Sequence, residues 1–250
     1  MMRRQSIKII DGYTNKEGLL VSYDVINISS HYEKSFNSWH PDTPIQEIIT
    51  KIETICKDVC EEYHPLDDIS LRVIVMNDLE RREHSNGVWA EFYPQGESSG
   101  YIVLRIHKTG IEHIEAATTH ELLHFILQSR NFQRLAEGDN KITLLQFALE
   151  EGMAEYFVAQ RIGEAFLSNG RTFIDYPEDF LILQKNRDQD YRAETLRNYI
   201  LSHKPYAVGY QIIKEVYEQK YKNFLVMIGL DEEQIWLDFV DIHPELKGKV

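Results

Sequence analysis

The sequence predicts an α+β chain. Residues 1–110 carry short runs with the two-residue period of strands around one helical segment, and beyond Gly110 the apolar period becomes helical and stays so. No repeat, low-complexity tract or Pro/Gly-rich linker interrupts the chain. It therefore reads as one continuous unit, with a helix-and-sheet lobe over residues 1–110 and a helical lobe over 111–250.

Ser6 to Ile10 and Leu19 to Ile28 read as strands joined by a turn over Asn15 to Gly18. A helix starts after Thr43. Thr43 supplies the N-cap, Pro44 the first helical position and Gln46 a capping box, and Ile45, Ile48, Ile49, Ile52, Ile55 and Val59 recur at helical spacing. After Pro65 come three strand-like runs, Leu71 to Met76, Gly87 to Pro94 and Gly100 to His107, which imply a sheet. Helical periodicity then marks Glu112 to Gln128, Thr143 to Phe166, Ala193 to Ser202, Pro205 to Tyr221 and Glu232 to Asp241.

Composition narrows the function classes. With 250 residues and 43% hydrophobic content, the chain holds enough apolar material for a core without covalent staples. Its two cysteines, Cys56 and Cys60, lie one helical turn apart and read as ordinary thiols. A net charge of -13 argues against a nucleic-acid partner, which needs a concentrated basic surface. No run approaches the roughly 18 apolar residues that span a bilayer. Lys8, Asp11 and Lys16 break up the first apolar stretch before it could serve as a signal-peptide core. The expectation is a soluble, cytoplasmic protein with no membrane partner.

The chemistry is concentrated in AATTHELLHFIL. His120 and His124, at i and i+4, share one helical face, so both imidazoles can reach one metal ion. Glu121 lies about 100° round the helix from His120, beside the metal, where its carboxylate can take a proton from a metal-activated water. This is the HExxH arrangement of zinc-dependent peptidases. The flanking Ala116, Ala117, Leu122, Leu123, Phe125 and Ile126 favour a buried helix over an exposed one that carries two histidines by chance. A catalytic zinc takes three protein ligands, so a third is required. His113 is nearly in phase with His120 but about 10 Å away along the axis. Together with His107, His203 and His243 it reads as an ordinary histidine, with a lesser claim kept for His203 as an oxyanion donor.

Downstream stands Glu151-Gly152-Met153-Ala154-Glu155-Tyr156. Here the chain resembles the glutamate-ligand zinc peptidases, the gluzincins, whose HExxH helix is followed by a helix carrying a motif such as NEGFAEY, as in the aminopeptidase N and leukotriene hydrolase group. Matched residue by residue, Glu151 falls on that family's third metal ligand. Glu150 stands where the group has Asn, and the interval from His124 to Glu151 is longer than in the aminopeptidases. The order of an HExxH helix, an EGxAEY helix and a YxxG helix, Tyr206 to Gly209, is closer to a bacterial group of predicted zinc-dependent proteases. The likeness runs over roughly residues 87–215. It implies a zincin-like fold: a strand-rich N-terminal part with a small mixed sheet, a mostly helical C-terminal part and the active-site helix between them. It also implies one zinc per chain and a peptide or protein substrate.

Glu155 shares a helical face with Glu151 and is the candidate to accept the outer N–H of a metal-bound imidazole, that of His120; the alternative is a solvated glutamate. In zincins an antiparallel edge strand holds the substrate extended, and GVWAEFYP is the candidate. Its alternation puts Trp89, Glu91 and Tyr93 on one side and Val88, Ala90 and Phe92 on the other. Tyr206 and Tyr210 share a helix face and are candidates for the oxyanion donor, against the alternative of core packing. The leading reading is a zinc-dependent endopeptidase. Its alternatives are an aminopeptidase in which Glu91 holds the substrate amine, and a non-catalytic, zinc-stabilised binding or regulatory protein.

Overall fold

A computed structural model of the chain describes residues 6–14, 20–22, 45–63, 70–77, 88–94, 99–106, 113–136, 142–167, 172 and 174–246. The expected turn over Asn15 to Gly18, the Thr43 and Pro44 cap, His107 and the later part of the Leu19 to Ile28 strand lie outside these residues, as does the side chain of Cys60. Two compact units are distinguished, Met1–Phe132 and Gln133–Val250.

In the first unit, strands β1 (Ser6–Thr14), β2 (Leu20–Ser22), β3 (Ser70–Asn77), β4 (Val88–Pro94) and β5 (Ser99–Ile106) form one sheet in the order β2-β1-β3-β5-β4. β1, β3 and β5 run parallel, and β2 and β4 close the two ends as antiparallel strands. Parallel neighbours need a crossover connection, and the helix α1 (Ile45–Tyr63) lies in the one between β1 and β3. α1 buries Ile48, Ile52, Ile55, Cys56 and Val59, an apolar face at helical spacing. β5 contributes the fully buried Ile102 and Leu104, which pair across the antiparallel ladder with Phe92 and Ala90 of β4. The helix α2 (Ile114–Ala136) runs eight residues beyond the Gln128 end that the apolar period marks.

The second unit is helical, with α3 (Leu144–Arg161), α4 (Glu178–Asn186), α5 (Arg197–Leu201), α6 (Lys204–Val216), α7 (Phe224–Met227) and α8 (Glu232–Ile242). The Thr143 side chain caps α3, accepting from the backbone N–H of Gln146 at 3.1 Å. The helix was expected to reach Phe166, but it stops at Arg161. Gly163 takes φ +114°, a conformation open to glycine, and a single 3-10 turn, Glu164–Phe166, follows. Likewise the expected helix to Tyr221 ends as α at Val216, continues as one π-helical turn and is terminated by Lys222 at φ 50°. α4 and α7 carry no counterpart in the periodic reading.

α3 and α6 are the central pair of this unit. Around them pack Tyr156, Phe157, Phe180, Ile212, Ile213 and Phe239, all nearly inaccessible. Ion pairs tie the shorter elements down, with Lys204 Nζ 2.7 Å from Asp179 and Lys220 Nζ 2.7 Å from Asp238.

His243, just after α8, sits between two carboxylates. Its Nε2 bonds to Glu215 of α6, its Nδ1 lies 3.1 Å from Glu245, and the Tyr176 hydroxyl donates to Glu245 and stands 3.1 Å from the same Nδ1. Donating from both ring nitrogens requires the imidazolium. Burial lowers its pKa, but the bonds and charges of Glu215 and Glu245 outweigh burial and raise it above the usual 6.5. Stability from this cluster is therefore fully present below the unfolded-state value and is lost as pH rises through the higher folded one. We expect the melting-temperature difference between parent and His243→Gln to be largest near pH 6 and to shrink by about pH 9, read by thermal denaturation across that range. A difference constant with pH would show that the charge plays no part.

Candidate metal centre

Over Ile114 to Leu127, α2 is mostly buried. Ala116, Leu122, Leu123, Phe125, Ile126 and Leu127 are inaccessible, while His113, Ala117, His120 and His124 form a partly open stripe at i, i+4, i+7 and i+11. The two motif histidines thus lie on a partly open face of the helix, from which a ligand can be approached. Their Nε2 atoms are 3.1 Å apart and their rings meet edge to face at 4.9 Å. Phe125, beside His124, packs edge-on against Phe92 of β4 at 5.8 Å. Strand alternation then turns Glu91 to the opposite side of β4 from the surface that meets α2.

One ligand atom from each of His120, His124 and Glu151 can be chosen so that all lie within 4.8 Å of one another. The donor set fits zinc. Two imidazoles and a carboxylate are a recognised catalytic set, and nitrogens about 2.1 Å from a tetrahedral ion stand about 3.4 Å apart, close to the observed histidine pair. All three residues are partly accessible, as an open coordination position requires. Glu150, the neighbouring carboxylate, accepts a 3.0 Å bond from Gln146 one turn earlier on its own helix.

Glu121 and Glu155 are buried carboxylates, 7% and 1% accessible. Full burial removes the solvated alternative for Glu155. A buried carboxylate has to be held by neighbours or by a cation, because its bare charge is costly away from water. If Glu155 accepts from a ligand imidazole, Glu155→Gln should keep an acceptor, lose the charge and weaken zinc binding roughly 10- to 100-fold. Competition against a chromophoric chelator reads this. Unchanged affinity would make Glu155 a packing residue.

The two tyrosines differ. Tyr210 is buried, and its hydroxyl donates to Glu164 at 2.9 Å, while Lys214 reaches the same carboxylate oxygen at 2.8 Å. Burial first, then the hydrogen bond and charge of Glu164, raise its pKa well above the ordinary tyrosine value. Its single donor hydrogen is therefore committed to Glu164. Tyr206 is less buried and packs edge-on against Phe147 at 5.6 Å and His203 at 5.7 Å. His203 is exposed and holds the left-handed N-cap position of α6, φ 56°. Glu164 and Lys214 had no signal in the linear sequence, because Glu164 follows a helix break and its partners lie 46 and 50 positions away.

Comparison with known proteins places the chain in a family. The profile of a family described as "Predicted Zn-dependent protease (DUF2268)" covers residues 29–236, most of the chain. No curated protein and no solved structure matches it.

Proposed function

The chain belongs to this predicted Zn-dependent protease family, and on that premise we propose that it hydrolyses peptide bonds with His120, His124 and Glu151 as the zinc ligands and Glu121 as the general base. One observation carries the proposal: the three candidate ligand atoms lie within 4.8 Å of one another. When bound, zinc supplies Lewis acidity, polarising the scissile carbonyl and making water acidic near neutral pH. Glu121 takes the proton from the attacking water and returns it to the leaving amine. Its burial keeps bulk water from competing for that proton. Glu155 orients a ligand histidine. Tyr206 is the better oxyanion donor of the two tyrosines, since the Tyr210 hydrogen is held by Glu164.

β4 is proposed to hold the substrate extended, in a zincin-like arrangement of sheet and active-site helix. Its place at the end of the sheet, antiparallel to β5 and touching α2 through Phe92, supports this. Glu91 faces away from that contact, which favours endopeptidase over aminopeptidase action. We place the activity in the cytoplasm, on peptide or protein substrates with one zinc per chain. Among the described residues no helix is long and apolar enough to cross a membrane.

The test is digestion of a peptide library in N-acetylated and free forms, with and without a chelator. Chelator-sensitive cleavage of both forms is expected. Cleavage of free peptides alone would establish the aminopeptidase, and zinc retained without any cleavage would establish a binding or regulatory role.

A further inference from the structure

α3 and α6 cross at a point where both helices lack a side chain. A Cβ on Gly209 would stand 1.8 Å from the carbonyl oxygen of Ala148 and 3.2 Å from the Gly152 Cα. One on Gly152 would stand 2.1 Å from the Gly209 carbonyl carbon and 2.4 Å from the Tyr210 nitrogen. The obstacles are backbone atoms, which cannot swing aside as a side chain can. Neither glycine has a positive φ, since Gly163 is the only glycine with one among the described residues. What demands glycine at both positions is the closeness of the helices, not their backbone conformation.

Glu151 immediately precedes Gly152, and Glu155 follows it by three positions on the same helix. We infer that Gly209 of α6 is a positioning residue for the metal centre: the bare crossing with Gly152 sets the height at which α3 presents Glu151. This rests on Glu151 being a ligand. Adding a methyl group at Gly209 requires the helices to part by more than about 1 Å, since non-bonded carbon and oxygen do not approach within about 3 Å. Ligand positions must hold to about 0.5 Å to function. The same step would loosen the Tyr210 to Glu164 bond, which reaches from α6 to the turn just after α3.

The experiment measures zinc affinity and melting temperature of the full chain for Gly209→Ala, Gly152→Ala, the double variant, Glu151→Ala and Phe239→Leu. Phe239 stacks on Phe180 and lies outside the crossing, so its variant reports general destabilisation. Zinc affinity is expected to fall on the order of 10- to 100-fold in Gly209→Ala, the range seen when support of a ligand is disturbed. Phe239→Leu should melt earlier yet bind zinc as the parent does. The double variant should lose little beyond the worse single one, because one displacement accommodates both methyl groups. If Gly209→Ala folds only marginally, the zinc-induced rise in melting temperature reads its affinity, with Gly152→Ala as the second variant.

Zinc affinity within twofold of the parent in the glycine variants, while Glu151→Ala loses it, overturns the inference and leaves the ligand set intact. The same follows if Phe239→Leu loses zinc to a like degree. Retention of zinc by Glu151→Ala overturns the ligand assignment and the inference with it.

Discussion

Glu121→Gln is expected to retain zinc and lower peptide hydrolysis on the order of 10²- to 10⁴-fold. The amide has nearly the volume of the carboxylate, so the packing around this 7%-accessible position survives. It cannot accept a proton at working pH, so the attacking water keeps its own. The loss should fall on kcat, because the base acts between the ground state and the transition state and holds little of the substrate. Zinc content and kcat, measured on the same preparation, separate the two effects. Full activity in Glu121→Gln would remove the general-base assignment, and loss of zinc would show that Glu121 shapes the metal centre itself.

The second large effect concerns the ligands. Glu151→Ala is expected to weaken zinc binding by more than about 100-fold, as strongly as His120→Ala or His124→Ala, because a direct ligand should exceed the range seen for outer partners. Glu150→Gln, one position earlier, should leave zinc in place, since Glu150 is engaged by Gln146. The contrast between adjacent glutamates fixes the phase of α3. Were the Glu150 variant to lose zinc and the Glu151 variant to keep it, the helix would present the other carboxylate.

His120, Glu121 and His124 are legible as a candidate set because they lie within five consecutive positions of one helix, where i, i+4 spacing puts both imidazoles on one face. Glu151 is not legible from geometry, since it lies on another helix, and only the resemblance of Glu151 to Tyr156 to the gluzincin motif points to it. The bare crossing was not readable. Gly152 and Gly209 are each a plausible helix glycine in sequence, and only the fold shows that their backbones touch. The sheet order is similar. Alternation marks β1, β3 and β5 as strands but says nothing about which are neighbours, since a parallel ladder joins segments separated by a crossover.

Short helices escaped for a different reason. The N-cap of α4, Pro177, makes no side-chain hydrogen bond, and the nine residues of the helix are anchored from outside by the Lys204 pair with Asp179. Tertiary contact supplies what local propensity lacks there. The early stops of α3 and α6 depend on single backbone conformations, at Gly163 and Lys222. Only the glycine signals its break, and it does so ambiguously.

Anomalous scattering at the zinc edge, from crystals of protein equilibrated with zinc, reads directly whether His120, His124 and Glu151 hold the metal. One peak per chain is expected, about 2.0–2.2 Å from a ring nitrogen of His120, a ring nitrogen of His124 and a carboxylate oxygen of Glu151. A peak whose ligands exclude Glu151, or no peak at saturating zinc, would contradict it.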